Sequence, residues 1–91
     1  MEPKVRNNEE ASRYELEVEG SMALAAYRLS GDRVVFTHTE VPEALEGRGI
    51  GSRLVSAALE DVRARGLKVV PACSFVRGYI DRHPETQDLL A

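Results

Sequence analysis

The sequence predicts one domain of the α+β (mixed α/β) class, in which an antiparallel β-meander precedes a β-α-β unit and a short C-terminal helix. Three observations support this class. Strand-like segments alternate with turn signals in the first half, residues 54–62 follow helical spacing, and a β-branched segment with a second helical pattern comes after them. The 91 residues, 43% of them apolar, suffice for one core. We expect a single domain over residues 1–91, with residues 1–12 as a loose N-terminal segment.

Three predicted strands form the meander. Residues 14–18, "YELEV", alternate polar and apolar side chains. Gly20 marks a tight turn before the second strand, "MALAAYRL" at 22–29, and "SGD" marks the next turn. The β-branched segment "RVVFTHTEV" at 33–41 is the third strand, and Pro42 ends it because proline cannot donate to the ladder. Connections this short indicate antiparallel neighbours.

The second half predicts two helices around a fourth strand. The helical spacing of residues 54–62 ends near Gly66, a C-terminal cap signal. "LKVV" at 67–70 is the fourth strand, which Pro71 stops, and it runs parallel to the third because a helix connects the two. "SFVRGYIDR" at 74–82 is the second helix, and "PETQDLL" opens a last helical turn. The second helix is expected to point Phe75, Val76, Tyr79 and Ile80 inward.

Charge, hydropathy and cysteine content argue against several functional classes. The net charge of −3 disfavours a protein that coats nucleic acid. No apolar run approaches membrane-spanning length, and the N-terminus has no apolar core for a secretory signal. The single cysteine, Cys73, permits neither an internal disulfide nor a zinc framework. We expect a cytoplasmic protein with no metal site and no nucleic-acid or membrane partner.

The segment "EGRGIGSRL", residues 46–54, combines three glycines with the start of a helical pattern. A helix N-terminus presents free backbone N–H groups and a partial positive charge, which together bind anions. Gly47, Gly49 and Gly51 remove Cβ atoms that would hold a phosphate away, and Arg48 can add charged hydrogen bonds. The loop ends in Gly-Ser-Arg, which excludes a nucleotide P-loop, and its spacing does not fit a Rossmann fingerprint. A glycine-rich turn without a ligand remains an alternative.

The order of elements around this loop resembles the acetyl-CoA-binding core of the GNAT superfamily of N-acetyltransferases. The resemblance rests on a strand ending in "TEVP", then "EGRGIGSRLVSAALEDVRARG", then a parallel strand. The superfamily signature is Gln/Arg-x-x-Gly-x-Gly/Ala, and here Glu46 replaces its leading residue. "HTEVP", "VVPACSFVRGYI" and "HPE" further resemble very short stand-alone members. Such members lack the N-terminal strand and two helices that wall the acceptor site, which implies an open acceptor side.

The resemblance implies acetyl-CoA, or another acyl-CoA, as cofactor. Its pantetheine arm would run beside the third predicted strand, and its acyl thioester would lie between the third and fourth. The residues implied beside the arm are Thr39, Glu40 and Val41. The residues implied around the pyrophosphate are Glu46, Gly47, Arg48, Gly49, Ile50, Gly51 and Ser52.

Four residues are candidates for the chemistry of amide formation, which needs a proton acceptor for the amine and a proton donor for the thiolate. His38 and Glu40 are two apart on one strand face, so either can serve as base, or both are simply polar surface residues. Cys73 precedes a helix, where thiolate is favoured; it can accept the acyl group, protonate the coenzyme A thiolate, or pack as a small hydrophobe. Tyr79 corresponds loosely to a leaving-group acid in the family, and core packing is its alternative.

These observations predict an N-acetyltransferase that moves an acyl group from coenzyme A to an amine acceptor, either a small molecule or a protein. The alternative is an acyl-CoA-binding module without turnover, or one that is acylated on Cys73. A third possibility is an interaction domain whose glycine loop binds nothing. We expect a monomer or a weak homodimer.

Overall fold

The computed structural model describes residues 4–91. Its elements in chain order are β1 (Arg6–Asn8), β2 (Arg13–Val18), β3 (Ser21–Ser30), β4 (Arg33–Glu40), a 3₁₀ turn (Glu43–Leu45), α1 (Ile50–Ala64), β5 (Lys68–Pro71), α2 (Ser74–Arg82) and a 3₁₀ segment (Pro84–Leu89). The predicted fold class is confirmed, since an antiparallel meander leads into a β-α-β unit and a short helix. Within these residues, no helix has the length and apolar character needed to cross a membrane.

The five strands form one sheet in chain order, and both helices pack on the same face of it. Neighbouring strands are antiparallel except β4 and β5, which are parallel as predicted. Buried residues of α1 and α2 join one core with inward residues of β2, β3 and β4, among them Tyr14, Ala25 and Phe36. Val35 points to the opposite side and lies outside that core. We call the covered side the helix face and the other side the open face.

A glycine in a left-handed conformation lies at each end of α1. Gly49 precedes the helix with φ 71°, and Gly66 follows it with φ 70°. The left-handed region penalises side chains with a Cβ atom, so glycine is favoured at both positions. Between them, the apolar stripe predicted over residues 54–62 is buried against the sheet.

The N-terminal segment differs from the sequence-based expectation. A loose segment is predicted over residues 1–12, and the family resemblance implies that the N-terminal strand is missing. In the structure, Arg6–Asn8 forms β1 and pairs with β2, while residues 1–3 lie outside the described residues. This strand has no apolar alternation that a sequence pattern could reveal. Contacts with distant residues hold it instead, and among them the Tyr27 hydroxyl donates to Asn7 at 2.6 Å.

A buried carboxylate also fixes β1 to the sheet. Glu15, on the open face of β2, accepts hydrogen bonds from Arg6 at 2.6 Å, Arg13 at 2.6 Å and Asn8 at 3.0 Å. These donors lower the pKa of Glu15 to about 2, with Arg6 contributing most. These hydrogen bonds offset the cost of burying the Glu15 carboxylate, and those from β1 connect the first two strands.

Candidate functional site

A β-bulge in β4 determines which face its last residues occupy. Ala26 pairs with His38 and Tyr27 with Phe36, so Thr37 is the extra residue between the two pairs. Without this insertion, His38 and Glu40 would share the helix face with Phe36 by simple alternation. The bulge instead turns them to the open face, and it turns Thr39 towards the helices, opposite the buried Ala25.

The parallel ladder between β4 and β5 ends where the bulge begins. Phe36 and Pro71 are its last paired residues. Pro71 has no N–H to continue the ladder, and Ala72 N donates to Val70 O at 3.1 Å, which turns the chain away. In the part of the chain that the structure describes, no strand pairs with this side of β4 beyond Phe36. The end of β4 therefore offers an edge to a ligand.

A cleft of about 360 Å³ runs from this edge to the start of α1. It contains all the residues predicted to bind the cofactor except Glu40 and Arg48, and it adds Leu45 and Phe75. The lining residues are Thr39, Val41, Leu45, Glu46, Gly47, Gly49, Ile50, Gly51, Ser52 and Phe75. The two segments that the resemblance implies are thus brought together in one cavity.

The start of α1 supplies the anion-binding character of the cleft. The first intrahelical bond runs from Arg53 N to Gly49 O at 3.1 Å, and no side chain caps the helix. The N–H groups of Ile50, Gly51 and Ser52 precede that bond, so they have no intrahelical acceptor. Because all three residues line the cleft, the positive end of the helix dipole lies beside it.

Gly51 has a different structural role from Gly47 and Gly49. Gly47 and Gly49 adopt positive φ angles of 80° and 71°, whereas Gly51 lies within the helix and does not. A Cβ atom on Gly51 would lie 2.5 Å from Cζ of Phe75. Gly51 therefore makes room for the Phe75 ring. Phe75 was predicted to point inward; it is instead 38% exposed, and it lines the cleft.

Arg48 does not reach the cleft in this structure. Its guanidinium donates to both carboxylate oxygens of Glu19, at 3.1 and 3.3 Å. These hydrogen bonds raise the pKa of Arg48 and lower that of Glu19. The pair joins the β2–β3 turn to the glycine loop. Of the described residues that line the cleft, none is basic, so the partial positive charge there comes from backbone N–H groups.

Cys73 lies immediately behind the cleft wall. Its Sγ is 3.1 Å from Oγ1 of Thr39, a lining residue, and the thiol is buried at the start of α2. This contact spans the gap between the end of β4 and the chain after β5. The structure thus places the Cys73 thiol against Thr39, although Cys73 itself is not among the residues that line the cleft.

His38 and Glu40 form a pair on the open face. Nε2 of His38 lies 3.1 Å from Oε2 of Glu40, and both side chains are 60% exposed. They flank Thr39 in sequence but point to the other side of the sheet. A group that passed through the gap beside β4 would meet Thr39 and Cys73 on one side and this pair on the other.

Tyr79 is not brought to the cleft. It is buried in the core, stacks on His83 with ring centroids 3.8 Å apart, and lines a separate cavity between α1 and the last 3₁₀ segment. The core-packing alternative agrees with this placement. We therefore assign Tyr79 no part in the site.

Sequence and structure comparisons identify relatives of this chain. Residues 13–89 match the family of GCN5-related N-acetyl-transferases. The protein NATD1 of Homo sapiens is 40% identical over 68 residues, which cover 74% of this chain and 60% of that protein. NATD1 of Danio rerio is 30% identical over 89 residues, covering 94% of this chain and 81% of its own length. The match spans 62% of the length of the NATD1 proteins of Gallus gallus and Mus musculus.

A solved structure shares the fold. A Staphylococcus aureus protein assigned as a GCN5-like N-acetyltransferase, determined in solution by NMR, superposes with a TM-score of 0.75. It is 25% identical, and the superposition covers 97% of this chain and 87% of that one. The family predicted from the glycine loop and its neighbouring elements is thus confirmed: this chain belongs to the GCN5-related N-acetyltransferase family.

Proposed function

We propose that this domain binds acetyl-CoA, or another acyl-CoA, in the cleft and transfers its acyl group to an amine acceptor. The observation that carries this proposal is the continuity of the cleft, which joins the free edge of β4 to the uncapped N-terminus of α1. The free edge of β4 suits a chain that carries amides, and the N-terminus of α1 suits a diphosphate. Coenzyme A has both parts in one molecule.

The diphosphate would lie on the backbone N–H groups of Ile50, Gly51 and Ser52. A helix N-terminus favours such a ligand through its hydrogen-bond donors and its dipole. Glu46, which carries a carboxylate, also lines this cleft. The N–H groups must therefore outweigh a local negative charge, which makes binding sensitive to any further carboxylate at this end.

The pantetheine arm would lie beside Thr39–Val41, where its amides can pair with the backbone as an added strand does. This placement leaves the thioester near the gap between β4 and β5. Thr39 and Cys73 border that gap on the helix face, and His38 and Glu40 border it on the open face.

The acceptor would approach from the open face, which neither helix covers. Its neutral nitrogen attacks the thioester carbonyl carbon, a C–N bond forms, and the C–S bond breaks. The Glu40 carboxylate, or His38 next to it, takes the proton from the nitrogen. The departing coenzyme A thiolate takes a proton from the Cys73 thiol or from water. The acceptor is a small-molecule amine or a protein amine.

An acyl-CoA-binding module that becomes acylated on Cys73 is the alternative. The contact between Cys73 Sγ and Thr39 Oγ1 favours it, because it places a thiol at the cleft wall. Burial of the thiol and its absence from the cleft lining oppose it, since the thiol must reach the thioester to attack it. Mass spectrometry after incubation with acetyl-CoA separates the two functions: a stable added acetyl group on Cys73 supports the module, and free coenzyme A released only with an amine supports the enzyme.

Calorimetric titration with acetyl-CoA tests the binding half of the proposal. The wild-type chain is expected to bind saturably, and Ser52→Glu is expected to weaken binding about tenfold or more, because its carboxylate would face the diphosphate. Glutamate is well tolerated in the first turn of a helix, so this change should preserve folding. Ser52→Gln, of equal size but neutral, is expected to stay within about twofold of wild type. A folded wild-type chain that fails to bind at millimolar acetyl-CoA would refute the proposal.

A further inference from the structure

Phe75 combines exposure with a position in the cleft. Among the described residues, the exposed large apolar side chains are Leu29, Phe75 and Leu90, and of these Phe75 lines the cavity. Exposed single hydrophobic side chains are common on protein surfaces, so exposure alone does not indicate a binding role for Phe75. The close approach of the Phe75 ring to Gly51 is an independent sign that the ring has a fixed place in the cleft.

The ring and Gly51 fit each other closely. Cζ of Phe75 occupies a point 2.5 Å from where a Cβ atom on Gly51 would be, and Cε1 and Cε2 lie 3.2 Å from it. Gly51 has ordinary helical geometry, so its backbone does not require glycine there. The missing Cβ lets the ring rest on the first turn of α1, where it becomes part of the wall next to the diphosphate position.

The cleft lining therefore combines apolar side chains with backbone hydrogen-bonding groups. Phe75 lines the cleft together with Val41, Leu45 and Ile50, and the free edge of β4 provides N–H and C=O groups. An aliphatic chain with amides suits such a lining, since it can cover the ring and still pair its amides with the backbone. A nucleotide that ends at the diphosphate places only phosphate oxygens beside the phenyl ring and gains little from that contact.

We propose that Phe75, seated on Gly51, is a specificity-determining residue for the pantetheine arm, so that the cleft selects coenzyme A over its nucleotide portion. This inference rests on the proposed function. When the arm binds, it removes the exposed part of the ring from water, which favours the complex. Phe75 contributes nothing equivalent to a ligand that ends at the diphosphate.

The test compares two ligands on three variants. The ligands are coenzyme A and phosphoadenosine diphosphate, which is coenzyme A without the pantetheine arm. Phe75→Ala is expected to weaken coenzyme A binding about tenfold and to change phosphoadenosine diphosphate binding less than about twofold. Phe75→Leu, which keeps an apolar side chain, is expected to lose less than Phe75→Ala. Leu29→Ala removes a 60% exposed leucine outside the cleft and is the matched control, with no expected change.

A double-mutant cycle with Gly51→Ala makes the result specific for the contact. The new methyl group would displace the ring, so Gly51→Ala is expected to weaken coenzyme A binding in the wild-type background and to have little effect beside Phe75→Ala. Equal losses for both ligands, no loss for either, or equal effects of Gly51→Ala in both backgrounds would overturn the role of Phe75. A wild-type chain that binds neither ligand would overturn the proposed function as well. Circular dichroism of each variant confirms that folding is retained.

Discussion

Replacing Glu40 with glutamine is expected to lower the turnover number about a hundredfold while the affinity for acetyl-CoA stays unchanged. General-base catalysis contributes at least this factor in typical enzymes. Glutamine keeps the size of the side chain but cannot accept the proton of the attacking amine. Because Glu40 points to the open face and is absent from the cleft lining, the cofactor does not depend on its charge.

The assay follows release of the coenzyme A thiol, with a lysine-containing peptide and a primary polyamine as acceptors. Glu17→Gln is the matched control, since Glu17 is another exposed carboxylate on the same face and pairs with Met22 in the sheet. Comparison of the turnover numbers of His38→Gln and Glu40→Gln shows which member of the pair takes the proton from the amine. Turnover by Glu40→Gln equal to that of wild type would remove Glu40 from the mechanism and leave His38 as the candidate base.

Replacing Phe36 with alanine is expected to destabilise the domain by about 3–5 kcal/mol. Phe36 is 1% exposed, its ring centroid lies 6.1 Å from that of Tyr14 and 6.3 Å from that of Tyr27, and it forms the last ladder pair with Pro71. Removal of the ring leaves a cavity where both helices meet the sheet. Small domains have a total stability of about 5–15 kcal/mol, so much of the population would unfold on mild heating.

Thermal and urea unfolding followed by circular dichroism measures this loss. For a domain of this size, the midpoint temperature is expected to fall by roughly 15 °C or more. Leu29→Ala removes an exposed apolar side chain and is expected to change stability by less than about 0.5 kcal/mol. A loss below about 1 kcal/mol for Phe36→Ala would show that the site around the bulge does not depend on this packing.

The sequence predicted the larger elements well because local patterns determine them. The helix at 74–82 has its predicted bounds, and α1 ends before Gly66 as expected. The strand β1 was not predictable from its own residues, since "RNN" contains no apolar alternation and is held by Glu15 and Tyr27. Contacts between segments distant in sequence provide no local signal of this kind.

The site was predictable in its location and less so in its details. The glycine loop and the end of β4 line one cleft, as the resemblance implied. The bulge at Thr37 could not be read from the sequence, because alternation from Phe36 places His38 on the wrong face. The contact between Arg48 and Glu19 and the seat of Phe75 on Gly51 are likewise tertiary features. The glycine at position 51, directly before the helical pattern, was the available hint of a close approach.

Backbone amide NMR of the labelled protein during titration with acetyl-CoA tests directly whether the cleft binds the cofactor. We expect the amides of Ile50, Gly51 and Ser52 and those of residues 39–41 to shift together and to saturate at one concentration, while the amides of β1 and β2 remain unchanged. Shifts centred on β1 and β2, around the separate cavity that Arg6 and Glu15 border, would contradict this expectation. An unchanged spectrum at millimolar acetyl-CoA would contradict it as well.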